Sequence, residues 1–119
     1  MKSKWIDHKG KQIFHIDLSG LGRNIDAFRE ELAAAESVTS QQPEDSLLVL
    51  TDIRDTVVSS EAMNVAKQSS ARTTKHICRT AVLGVTGIRK ILLDAVSRFS
   101  GQRFEVFGDI EAAKDWLVS

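Results

Sequence analysis

Hydrophobic and polar positions recur along this chain with two different periods, and the points where the period changes mark the elements. In Lys11–Leu18, Phe14, Ile16 and Leu18 share one side while Ile13, His15 and Asp17 share the other. That period of two is the pattern of a half-buried strand. A shorter run, Lys4–Asp7, precedes it across His8-Lys9-Gly10, and the glycine supplies the positive φ that a tight hairpin wants. An antiparallel hairpin is therefore expected, with Phe14, Ile16 and Leu18 turned to the main core. After the loop Ser19–Arg23 the spacing becomes helical, at Ile25, Phe28, Leu32 and Ala35. Asn24 serves as N-cap and Asp26 lies in the first turn, where its charge complements the macrodipole. The helix fades over Glu36–Ser40, and Gln41–Asp45 is a polar turn around the only proline.

The next run, Ser46–Ile53, is continuously apolar at Leu47-Leu48-Val49-Leu50, as expected of a central strand covered on both faces. Arg54–Val58 is a connecting loop, and Ser59 or Ser60 then caps a helix with Glu61 in its first turn. That helix is only weakly amphipathic; Met63, Ala66 and Ser70 are the residues expected to face inward. Ile77–Gly84 predicts the next strand. Ile88, Ile91, Leu92, Ala95, Val96 and Phe99 form a helical stripe, which Gly101 ends. Arg103–Phe107 is the last strand, and Asp109 caps a final helix with Ile110, Ala113, Trp116 and Leu117 on one side. The order is β-β-α-β-α-β-α-β-α. Strands alternating with helices imply an α/β fold: a mostly parallel five-stranded sheet with four helices distributed over both faces, and the N-terminal antiparallel hairpin strand at the edge.

Composition narrows the function classes. The 119 residues are expected to form one domain, 1–119, and sixteen basic side chains cancel sixteen acidic ones. A neutral chain has no global pull toward nucleic acid or anionic lipid, so no nucleic-acid partner is expected. No apolar run approaches the roughly 20 residues of a membrane span, and the first residues lack an apolar signal region; a soluble cytoplasmic protein is the expectation. The single cysteine, Cys78, permits no internal disulfide and is expected to be a small buried residue.

In open α/β sheets ligands gather beyond the carboxyl ends of the parallel strands. Four loops meet that description. They carry Asp17, Ser19 and Gly20; Asp52, Arg54, Asp55, Ser59 and Ser60; Gly84, Thr86 and Gly87; and Gly108 with Asp109. Gly84-Val85-Thr86-Gly87 precedes a helix and would let an anion approach the main chain, but it lacks the spacing of a P-loop; a tight turn capped by Thr86 explains it. Asp52 and Asp55 resemble a phospho-acceptor pair without the further acidic pair and the lysine that such chemistry needs. Asp17 and Asp52 come within reach across neighbouring strands, where Arg54 pairing with them makes a structural ion network. His8, His15 and His76 are not at metal-ligand spacing, and no nucleophile elbow exists. No catalytic residue, metal site or cofactor is expected.

The strings Ile16-Asp17-Leu18-Ser19-Gly20, Ser46-Leu47-Leu48 with Thr51-Asp52, Ala81–Gly87, and Phe107–Leu117 together resemble the STAS superfamily, the sulfate-transporter and anti-sigma-factor-antagonist domains, and within it the STAS/SEC14-like small bacterial proteins. The resemblance covers essentially the whole chain. It implies a non-enzymatic, regulatory module that binds protein partners; the expected partner is another protein, met by the loops at the strand ends, or a second copy of the chain, met through an exposed helix or the hairpin edge. It also implies a phosphorylation candidate at the start of the second main helix, at Ser59 and Ser60. There the chain departs from the family, with Val57-Val58 before the serines and Glu61 after, a charge that would repel an added phosphate. The alternative reading is a small-molecule or lipid-binding module with an apolar pocket under the second helix. Its motive is that helix's weak amphipathicity.

Overall fold

A computed structural model describes residues 1–85, 88–101 and 104–119, without the side chains at positions 88, 89, 91, 92, 95 and 100. Its strands are β1 (Lys4–His8), β2 (Lys11–Asp17), β3 (Leu47–Asp52), β4 (Ile77–Leu83) and β5 (Phe104–Phe107). Its helices are α1 (Ile25–Thr39), α2 (Ser60–Thr73), α3 (Ile88–Ser100) and α4 (Ile110–Val118), and a 3-10 turn over Thr74–His76 leads α2 into β4. One sheet holds all five strands in the order β1-β2-β3-β4-β5. β1 pairs antiparallel with β2, and every other neighbour pair is parallel. The hairpin closes through Lys9 and Gly10, both at positive φ, as a two-residue turn requires when its twist must match that of the strands.

The sequential strand order decides where the helices lie. Each β-α-β crossover steps one strand in the same direction, and right-handed crossovers then put α1, α2 and α3 on one face. Phe14, Ile16, Leu18, Leu47 and Val49 meet Phe28 and Ala35 of α1 and Ala62 of α2 on that side. Only α4, which follows the last strand, returns over the other face. Its Ala113 and Leu117 pack on Ile13, Leu50, Ala81 and Leu83. Residues of β2 and β3 thus feed two cores alternately, which is why β3 reads as an unbroken apolar run.

The caps follow the sequence reading. The side chains of Asn24, Ser59 and Asp109 each accept from the backbone N–H three residues on, and Gly101, at positive φ, ends α3. Two expectations fail. Cys78 is exposed, because Ile77 and Arg79 pair with consecutive residues of β3; Cys78 is the extra residue of a bulge, which belongs to neither face. Phe99, expected in the inward stripe of α3, is 53% exposed, whereas Val96 of the same stripe is buried. A thirteen-residue helix that crosses a sheet loses contact with it toward its last turn, and Phe99 lies there. The stripe positions 88, 91, 92 and 95, and the strand start expected at 103, lie outside the described residues.

Candidate functional site

Parallel register brings Asp17, Asp52, Leu83 and Phe107 level with one another, so the loops that follow all leave from one edge. They are stitched together by their backbones. Leu18 donates to the Asp52 carbonyl at 2.9 Å, Ile53 to that of Leu83 at 3.0 Å, Gly20 to that of Arg54 at 2.9 Å, and Val57 to that of Gly22 at 2.8 Å. Thr56, almost fully buried, adds a second stitch: its hydroxyl donates to the Leu18 carbonyl and accepts from the Leu21 N–H. Nothing in the hydropathy pattern marks Thr56, because a threonine in a loop reads as solvated. Gly84 closes the rim from below. Its φ is +92°, and a Cβ there would lie 2.8 Å from the Arg54 nitrogen, so both conformation and space demand glycine.

Four expected site residues, Asp17, Ser19, Asp52 and Arg54, converge here. Asp52, 2% exposed, receives Arg54 through the backbone N–H at 3.0 Å, Nε at 3.0 Å and Nη2 at 2.7 Å. Burial alone would raise its carboxyl, but these hydrogen bonds and the guanidinium charge outweigh it and hold the group below its ordinary value. Asp17 takes the N–H of Ser19 at 3.0 Å and its hydroxyl at 2.5 Å, with Lys2 at 3.6 Å. It too is held low, the Ser19 hydrogen bonds and Lys2 overcoming burial. The expected pairing of Arg54 with both carboxylates is met at Asp52 alone; the ion-pair partner of Asp17 is Lys2. Lys2 is tied in by its own backbone, which with that of Ser3 donates to the buried Glu31 of α1.

His15 enters from the strand below. A ring nitrogen of His15 and one oxygen each of Asp17 and Asp52 lie within 4.8 Å of one another. That set of atoms has the chemistry of a divalent-cation site, yet both carboxylates are already neutralised by cationic side chains. The ring's Nε2 is buried without a partner, and burial holds the imidazole below its ordinary value against the pull of Asp17 and Asp52. His8 and His76 are elsewhere, the first on Asp115 at 2.7 Å and the second on the Gln42 carbonyl at 2.7 Å.

The remaining expected residues stand apart from this cluster. Asp55 is exposed at positive φ and gives the rim its carbonyl, which takes the Gly22 N–H at 3.1 Å. Ser59 spends its hydroxyl oxygen on the Ala62 N–H at 3.1 Å, whereas Ser60 is exposed in the first turn. Glu61 is ion-paired with Arg29 of α1. Arg23, Asn24, Val57, Ser59 and Glu61 border a groove of about 270 Å³ between the starts of α1 and α2. Asp109 is occupied as the α4 cap. Thr86 and Gly87 lie outside the described residues.

A second feature lies behind the rim, between the sheet and the three-helix layer. A cavity of about 140 Å³ runs beneath α2, lined by Ile16, Leu32, Val49, Met63, Ala66 and Val82 among others. Met63, Ala66 and Ser70 face it, as the helical spacing implies. The cause is in the sequence: Ala62, Ser69 and Thr73 are the buried residues of α2, too small to fill the space that a large apolar stripe would occupy.

No protein-family model matches the chain, and no curated protein does. Among solved structures it is similar to the crystal structure of an uncharacterized protein of the DUF3478 family, with a SpoIIAA-like fold, from Shewanella loihica PV-4. The identity is 18%, the match covers 97% of this chain and 91% of the other, and the TM-score is 0.73. The chain therefore has a SpoIIAA-like, STAS-like fold, the one that its sequence strings resemble. No helix among the described residues is long and apolar enough to cross a membrane.

Proposed function

We propose that this protein is a non-enzymatic interaction module that docks a partner protein on the loops at the carboxyl ends of its strands. The observation that carries this reading is the stitched rim itself. Backbone hydrogen bonds and Thr56 hold the loops after β2 and β3 in one arrangement, so little ordering entropy is lost on docking. That surface offers Val57, 42% exposed, the guanidinium of Arg54, exposed although paired with Asp52, and the exposed Ser60. Aliphatic contact ringed by charge is the composition of a binding patch. Asp17 and Asp52 support the non-enzymatic half, since both are held ionised by partners and neither offers a proton at neutral pH.

Ser60 is the position at which a phosphate would alter docking. Ser59 is engaged as a cap, while Ser60 is accessible and beside Glu61, so added charge there weakens rather than strengthens local order. The fold class supports a regulatory role of this kind, and a second copy of the chain is the alternative occupant of the rim.

The test is site-directed photocrosslinking in the source cells, with the crosslinker at Val57 or at Gln42 on the opposite end of the sheet. A specific protein adduct at position 57, absent at 42 and lost in Arg54→Ala, is expected; Ser60→Glu should diminish it. Equal adducts at both ends would discard the rim as the docking surface. An adduct to the chain itself would assign the rim to a homodimer.

A further inference from the structure

The cavity beneath α2 has a size and a chemistry that specify an occupant independently of the rim. Its volume of about 140 Å³ is close to that of an engineered apolar cavity, about 150 Å³, that stays dry and takes up benzene. It is well below the roughly 300–1,000 Å³ of sites for drug-sized ligands. Most polar side chains in its wall are already engaged. Thr39 and Thr73 each donate to the carbonyl one turn back, at 2.9 Å. Ser69 bonds the Glu36 carboxylate, which Arg72 neutralises from α2 with Nη2 at 3.0 Å. Ser70 and Thr80 are partnered as well. Among the described residues no lining side chain holds a buried polar atom without a hydrogen bond. Apart from the hydroxyl of Thr51, which also lines the space, the wall offers little to a polar ligand, and donors buried unmatched weaken its binding.

We infer that this cavity is a binding site for a small, uncharged, apolar molecule, a single aromatic ring or a branched hydrocarbon of similar bulk. Such a ligand gains the contacts that the small residues of α2 leave unmade, and it binds the native state alone, so it stabilises the fold by mass action. The seam of entry is between α1 and α2. Outside the apolar layer those helices are joined by the ion pairs Arg29–Glu61 and Glu36–Arg72 and by the Ser69–Glu36 hydrogen bond.

Benzene is the probe. Saturating benzene should raise the Tm by roughly 4 °C or more and shift the methyl resonance of Met63 in a saturable titration. Ala66→Leu fills the space; it should raise the Tm without benzene and abolish the benzene response. An unmoved Met63 methyl in the wild-type chain overturns the inference, and that measurement needs no variant to fold. A benzene response that survives in Ala66→Leu places the binding elsewhere and overturns it too. Lauric acid that shifts Met63 at lower concentration than benzene would refute the assigned size.

Discussion

At the scale of single residues, the rim depends on a few side chains that have no freedom to change. Gly84 combines a left-handed φ with a main-chain neighbour at van der Waals limit. Gly84→Ala therefore adds backbone strain and a clash together, an expected loss of roughly 2–4 kcal/mol; a urea midpoint within experimental error of wild type would show that the Arg54 backbone yields freely. Asp52 is the other fixed point. Asp52→Asn keeps the shape but removes the charge that orders Arg54, with an expected cost of roughly 1.5–3 kcal/mol. Gly84 was legible from the turn it occupies. Asp52 was legible as a strand-end carboxylate, and its pairing with Arg54 as one of two readings. Thr56 and the approach of His15 to the two carboxylates were not, because each depends on the register between strands distant in sequence.

Elements carry the contrast between what is capped and what is underpacked. Ser59 caps α2 and Ser60 does not, so Ser59→Ala should cost about 1 kcal/mol while Ser60→Ala stays within about 0.5 kcal/mol. Thermal unfolding of the two variants separates them, and equal effects would remove the distinction on which Ser60 rests as the accessible site. The ion pairs between α1 and α2 are exposed and contribute little. Beneath the same helix, a cavity of about 140 Å³ leaves packing contacts unmade. Weak amphipathicity in α2 was visible along the chain, and the void is its three-dimensional consequence. Cys78 shows the reverse. A small thiol in a predicted strand is expected to be buried, but a one-residue bulge in β4 takes it out of both cores, and a bulge is a property of two strands rather than one.

For the molecule as a whole, titration sums over sites that the fold assembles. Hydrogen bonds and cationic partners hold Asp17, Glu31 and Asp52 low against burial, and Arg72 does so for Glu36. Burial holds His15 low. In every case the unfolded chain takes up its proton at a higher pH than the native one, so stability is lost as pH falls. His15 contributes below its ordinary value of 6.5, and the carboxylates below 4.5 and 3.8. Urea midpoints measured downward from pH 7 should decline in two stages; His15→Gln should flatten the first and Asp52→Asn reduce the second. A midpoint independent of pH down to 4 would contradict the burial of His15.

The amino-acid sequence by itself determined the elements, their caps and their alternation, because periodicity, glycine stops and cap residues act within a few positions of one another. Alternation with right-handed crossovers was then enough for a mostly parallel sheet whose carboxyl ends share an edge. Strand order was decided only in three dimensions, and with it the one-sided layer of α1, α2 and α3, the single cover of α4, the exposure of Phe99 and the space under α2. These depend on how much volume neighbouring elements jointly fill, a quantity that no local pattern contains.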